Sequence, residues 1–311
     1  MASTAQPIPE LLADPLVGRG NASLWRDTLG NVLRQRSAVI GLAILFVLVF
    51  TAVFADVIAT HDPERRVAGV ERRDGPCIHA LGCPADEPQQ LLGTDGNFRD
   101  LFSRVVHGAR ISLQVGFLTV GFAILIGSLI GAVAGYLGGF ADNVLMRLMD
   151  VLLAFPSLLL AIAILTVLGR GLINAQLAIA IVAIPIYARV MRAAVLGVRD
   201  LDYVVASRAL GESNIGLLFR RIIPNALTPL IVQGTLGIGV AILDVAALSF
   251  LGIGAQPPTP EWGSMIGEER NQLFSAPHLI LAPGFAITLV VLGFNLLGDG
   301  LRDALDPRLN R

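Results

Sequence analysis

Six apolar stretches of about 20 residues, near 38–59, 112–135, 150–168, 175–197, 225–252 and 279–299, constrain this chain more than any other feature. A helix of that length crosses the roughly 30 Å hydrocarbon core of a bilayer. Lipid offers no partner to backbone N–H and C=O groups, so such segments satisfy them internally, as helices. With 54% of 311 residues hydrophobic and only 15% charged, the chain carries far more apolar surface than a soluble core needs. The expectation is an all-α integral membrane protein with about six transmembrane helices.

Six crossings put both termini on one side. Of 23 cationic residues, all arginine, 14 lie in 1–37, 136–149, 189–224 and 300–311, against only Arg170 and Arg270 on the opposite loops. Arginine excess marks the cytoplasmic side, so the topology is N-in/C-in. The other seven arginines fall in 60–111, a long segment that also carries several carboxylates. The chain then divides into a cytoplasmic N-terminal segment (1–37), a first transmembrane helix (38–59), an extracytoplasmic segment (60–111), a five-helix core (112–299) containing a cytoplasmic loop (198–224), and a cytoplasmic tail (300–311). No small-residue cleavage site follows the first apolar run, which therefore reads as a retained span. Residues 1–23 show no hydrophobic period, and Leu24, Trp25, Leu29, Val32 and Leu33 suggest a short amphipathic helix at the membrane surface.

Several functions are excluded. The absence of lysine removes the phosphate-binding residue of a G-x-x-x-x-G-K-[ST] loop, so any ATP hydrolysis belongs to another chain. A net charge of −1 gives no footprint for nucleic acid. Neither H-E-x-x-H nor G-x-S-x-G occurs, which argues against an intramembrane enzyme.

Within the spans, Pro156, Pro185, Pro229 and Pro283 mark kinks, read either as tolerated packing features or as the bends of a path that opens and closes. Gly127, Gly131 and Gly135 form a small-residue stripe suited to close helix contact, inside the subunit or with a second one. Asp244 is the one carboxylate deep in a span; it is a candidate for pathway lining, with Ser249, Pro156 and Asn295. A single acid is thin support for the ion relay of a secondary transporter, which stays as an alternative of a different class.

Two exposed segments carry information. Cys77 and Cys83 sit in Gly-Pro-Cys-Ile-His-Ala-Leu-Gly-Cys-Pro on the extracytoplasmic side, a candidate disulfide, with free thiols and a metal site as alternatives. With His79 the two thiols leave a tetrahedral zinc site one ligand short, so no metal is assigned. Phe98, Leu101, Phe102, Val105 and Val106 recur at helical spacing and predict an amphipathic helix on the outer face. On the cytoplasmic side, the pattern predicts a helix over 203–210 capped by Asp202 and stopped by Gly211, then a second helix capped by Ser213 and running toward Pro224. A helix this apolar between two spans either lies on the bilayer or docks in a groove on a soluble partner.

Ala206-Ser207-x-x-x-Gly211, followed by Arg220-Arg221-Ile222-Ile223-Pro224-Asn225, resembles the E-A-A-x-x-x-G loop of binding-protein-dependent ABC transporter permeases. Further matches point to the C-type permease of dipeptide and oligopeptide importers: Leu92-Gly93-Thr94-Asp95, Gly108-Ala109-Arg110-Ile111-Ser112-Leu113, Met146-Arg147-Leu148-Met149-Asp150, Ala154-Phe155-Pro156-Ser157, Leu248-Ser249-Phe250-Leu251-Gly252, Gln256-Pro257-Pro258-Thr259-Pro260 and Phe294-Asn295-Leu296-Leu297-Gly298-Asp299-Gly300. They run in order from about residue 35 to the C-terminus.

The resemblance implies a type I importer permease fold in a bacterial cell membrane. It implies a second homologous permease, two cytoplasmic ATPases that bind ATP and Mg, and an extracytoplasmic substrate-binding protein, with no cofactor in this chain. It assigns the loop helix to ATPase coupling, here Tyr203, Val205, Ala206, Ser207, Arg208, Ala209, Leu210 and Gly211. Di- and oligopeptides are the implied substrates, with nickel and glutathione as alternatives served by the same permease type. Val205 stands where the family motif has Glu, and Arg221 where it usually has His.

Overall fold

The computed structural model describes residues 30, 32–84 and 86–305, and among these no strand forms beyond two isolated bridges, Cys77 with Gln90 and Thr94 with Asp100. The first span is α1 (Arg36–Val53), extended by a short turn, α2 (Ala55–Ile58). Then come α3 (Leu101–Leu137), α4 (Gly139–Leu153), α5 (Ser157–Leu168) and α6 (Leu172–Val198). The cytoplasmic helix α7 (Asp202–Ala209) precedes the long α8 (Asn214–Phe250), the outer helix α9 (Trp262–Glu269) and α10 (His278–Leu305). Five of these, α1, α3, α6, α8 and α10, are long and apolar enough to cross a membrane; α4 and α5 pass only as a pair bent by 92°. The readings on residues 1–23 and on Leu24, Trp25 and Leu29 lie outside the described residues, as do 306–311 of the tail.

The bend has a local cause. Pro156 sits at the N-cap of α5 with φ −57°, its missing N–H breaks the ladder, and its ring disfavours helical backbone at Phe155. Of the four predicted kinks it is the one that splits a span, since Pro185, Pro229 and Pro283 lie inside continuous helices.

Two sequence expectations give way to longer helices. Residues 101–106 do not form a separate surface helix: they are the first turns of α3, with Leu101 and Val106 buried against protein and Phe98 left outside at φ 63°. Asp100 starts α3 by accepting from the Ser103 N–H at 2.8 Å, and no proline interrupts it up to Leu137. At 37 residues α3 is about 55 Å long, well beyond the hydrocarbon thickness, so its first turns stand outside the membrane. Likewise the helix expected to run toward Pro224 does not stop there. It passes through a π-helical stretch, Leu217–Ile222, and continues as α8. Pro224 lacks the N–H that would reach back four residues, and a widened turn absorbs the fault without ending the helix.

The outward end is held by buried charge. Arg99 donates to Asp95 at 2.6 Å and to Glu268 at 2.7 Å, Arg104 pairs with Asp95 at 3.5 Å, and Arg73 reaches Glu269 at 2.8 Å. Arg99 and Arg104 are buried, so these two of the seven arginines that run against the topology rule are paired within the protein and do not face the membrane surface. Glu261 caps α9 by accepting from the Gly263 and Ser264 N–H groups, while Trp262 donates its indole N–H to the Val105 carbonyl and ties α9 to α3. Burial pushes the Glu261 carboxyl upward, opposed by those two backbone donors. Cys77 and Cys83 are joined as a disulfide in the same outer segment.

The helices close on one another through small residues. Along the Gly127, Gly131 and Gly135 stripe, α3 meets α6 at Ile184, Ala188 and Arg192, backbone against backbone. The stripe thus serves contact within the subunit. On the other side, α1 packs along α10, where Gly41 faces Gly293 and Leu297, and Gly300 faces Ala38.

Candidate functional site

The cytoplasmic loop is built around one buried anchor. In α7 only Val204 is buried, at 0% exposure, seated against the π-helical start of α8. Asp202 is the first residue of α7 and does not cap it; Leu201 occupies the N-cap without a side-chain bond. At the other end Gly211 adopts φ 84°, its N–H bonding to the Arg208 carbonyl at 3.0 Å and the Glu212 N–H to the Ser207 carbonyl at 3.2 Å. This paired pattern with a left-handed residue is the Schellman stop, which glycine alone enters without strain. Nothing lies within 4 Å of the position a Gly211 Cβ would take, so the strain of a substitution there is conformational and the new side chain faces open space.

Beyond that turn the loop is tied back to α8. Arg221 pairs with Glu212 at 3.0 Å, and its carbonyl accepts from the Tyr203 hydroxyl at 3.4 Å and the Asn225 amide at 2.6 Å. Ser213 accepts from the Gly216 N–H at 3.2 Å and so caps α8. The arginine that replaces the family's histidine therefore braces the loop, through Glu212, a partner that the sequence reading left out. Outward from this frame stand Tyr203, Val205, Leu210 and Ile215, the last two 89% and 74% exposed, flanked by exposed Ala206, Arg208 and Ala209. Ser207 is half-buried and turns its hydroxyl to the Tyr203 carbonyl. The result is a largely apolar knob anchored to α8 through Val204 and Arg221.

The second candidate region is a cavity of about 220 Å³ between α3, α4, α5, α6 and α8. Asp244 lines it, together with Tyr187, Gln233 and Ser157, and Phe155 stands beside the Pro156 break. The other three candidates lie elsewhere. Ser249 is buried and its hydroxyl accepts from the Ala255 N–H at 3.0 Å, a loop-fixing role; Asn295 and Pro156 are exposed and outside the cavity wall. Tyr187 and Gln233 are not among the sequence candidates, although a phenol and an amide inside apolar spans are the signal that marks them. Near the disulfide, the Glu87 carboxylate approaches both sulfurs at 3.7–3.9 Å, but bonded sulfurs are not thiolate ligands.

Comparison with known proteins gives consistent results. The family model described as the binding-protein-dependent transport system inner membrane component matches residues 127–311, and the N-terminal TM domain of oligopeptide transport permease C matches residues 23–76. The dipeptide transport system permease protein of Alkalihalophilus pseudofirmus is 45% identical, over 92% of this chain and 91% of its own length. The di/tripeptide transport system permease protein of Pseudomonas aeruginosa is 47% identical over the same shares. The glutathione transport system permease protein of Pectobacterium atrosepticum is 41% identical, again over 92% and 91%. Among solved structures, an inward-facing methionine ABC transporter chain aligns with a TM-score of 0.53 and 18% identity, covering 66% of this chain and 98% of that one.

Proposed function

The chain belongs to the inner-membrane components of binding-protein-dependent transport systems, and from that premise we propose that it carries di- and oligopeptides across the membrane as one permease subunit of an ATP-driven importer. It is a multi-pass membrane protein and supplies no ATPase of its own. Two cytoplasmic ATPases bind ATP and Mg, a second homologous permease completes the path, and an extracytoplasmic binding protein delivers the peptide. Glutathione, itself a tripeptide, falls within the same substrate chemistry.

The observation that carries the reading is the apolar knob of α7 and the Leu210–Ile215 turn, braced on a helix that runs unbroken through the membrane. When the ATPases close on ATP, a groove holding this knob moves it, and α8 moves with it as a rod. The α4–α5 break and the Asp244 cavity lie beside α8, so the same motion alternately opens and closes the path. Tyr203, Val205, Ala206, Ser207, Arg208, Ala209, Leu210 and Gly211 form the coupling element in this account. An ion-coupled carrier, by contrast, has no use for the knob.

Proteoliposomes holding the complete complex, with loaded binding protein outside the permease's outer face, are expected to accumulate labelled dialanine when ATP is supplied to the ATPase side. Accumulation driven by a proton or sodium gradient without ATP would contradict the importer reading.

A further inference from the structure

The cavity beside α8 contains an unanswered charge. Asp244 lines it, yet the carboxylate has no hydrogen bond or ion pair to any described residue. The cations of the neighbouring helices stand elsewhere: on α6, Arg189 holds Asp150 at 2.6 Å and Arg192 holds Asp142 through Nε and Nη2, and Arg147 of α4 is exposed and does not line the cavity. Arg302 of α10 lines a different cavity, with Thr228 and Val232. An ionised carboxylate inside the membrane domain without a counter-charge is costly, and the cost is retained where the charge has a ligand to meet.

The surroundings describe that ligand. The walls around Asp244 are mainly apolar, including Val120, Ile179, Val182 and Val240, with Gln233, Tyr187 and Ser157 as the neutral polar groups. One negative group, an amide and a phenol set in an apolar wall fit a small molecule that carries a cation next to an apolar body and amide groups. About 220 Å³ is smaller than most complete small-molecule pockets, which fits half a cavity closed by the second permease. Resting on the peptide-importer reading, we propose that Asp244 is a specificity-determining residue of the membrane path: its carboxylate receives the ammonium group of the passing peptide. The permease then discriminates by charge after the binding protein has released its cargo, favouring cationic over anionic peptides.

The test uses the full complex in proteoliposomes with wild type, Asp244→Asn and Asp244→Glu. Maximal ATP-driven uptake is measured at saturating loaded binding protein, so that differences arise after capture. The probes are dialanine, lysyl-alanine and alanyl-glutamate. In Asp244→Asn, dialanine uptake is expected to fall at least tenfold and the preference for lysyl-alanine over alanyl-glutamate to narrow at least fivefold; Asp244→Glu restores both to within threefold. Wild-type rates in the Asn variant overturn the proposal. So does an equal fall in the Asn and Glu variants with the charge preference intact, which is the mark of a packing role. Loss of the second permease from purified Asp244→Asn complex also overturns it, by showing that Asp244 pairs with that subunit. A wild-type complex that transports no dipeptide at all sinks the peptide-importer reading itself, an outcome separate from any difference between variants.

Discussion

Gly131→Val is expected to leave almost no folded subunit, whereas Gly121→Val on the same helix is expected to be nearly silent. A Cβ at residue 131 drives into the carbonyl oxygen of Ala188 and lies 3.0 Å from the Arg192 nitrogen. Both obstacles are backbone, so no side chain can rotate away, and relief requires α3 and α6 to separate along their interface. Overpacking of this kind costs about 3 kcal/mol or more, a large share of the stability of most folded domains. At Gly121 a Cβ meets nothing within 4 Å, and its replacement is expected to shift stability by no more than about 0.5 kcal/mol. Size-exclusion profiles and thermal unfolding in mild detergent compare the two; equal behaviour would show that the stripe does not carry the α3–α6 contact.

Leu210→Asp is expected to separate folding from partnership. The side chain is 89% exposed, so the subunit folds with wild-type yield and melting temperature. A carboxylate at the centre of an apolar docking knob, however, must be desolvated or shed when the groove closes over it. Association with the ATPase is expected to weaken at least tenfold, about 1.4 kcal/mol, with ATP-driven uptake falling in step. Binding of labelled ATPase to nanodisc-embedded subunit measures it directly, and wild-type affinity in this variant would move the docking surface away from residue 210.

Much of this architecture was legible in the sequence because lipid imposes simple rules. A run of about 20 apolar residues has few folded solutions, and arginine placement orients them. What periodicity did not show was where helices fail to stop. The first turns of α3 read as an amphipathic surface helix since Leu101, Val105 and Val106 cluster on one face; that face in fact packs on protein, and no breaking residue separates it from the span. Pro224 reads as a terminator but is tolerated through a π-helical turn. Among four prolines in apolar stretches only Pro156 divides a span, at the N-cap of α5, while Pro185, Pro229 and Pro283 are carried inside continuous helices, a difference that proline content alone does not encode.

At the candidate sites the division is similar. Gly211 was legible, because a left-handed helix stop leaves glycine as the residue that fits, and its φ of 84° shows the required conformation. The Glu212–Arg221 brace was not legible, since its members lie 9 residues apart across the turn into α8, a separation that no helical period pairs. Asp244 stood out as a lone intramembrane acid, but its cavity partners Tyr187 and Gln233 come from two different helices and carry no charge to draw attention. Ser249 shared a span with Asp244 yet faces the Ala255 turn, about five residues along and on a different side of the helix.

The most direct measurement is ATPase capture. The chain, co-expressed with its genomic neighbours and solubilised in mild detergent, is purified as wild type and as Gly211→Arg, and the ATPase retained by each is quantified. The account predicts stable retention by wild type and loss with Gly211→Arg, which strains the helix stop and places a long side chain on the docking surface. If wild type retains no ATPase with all neighbours present, or if both forms retain it equally, the loop is not the coupling element and the account of this protein as an ATP-driven permease subunit loses its central support.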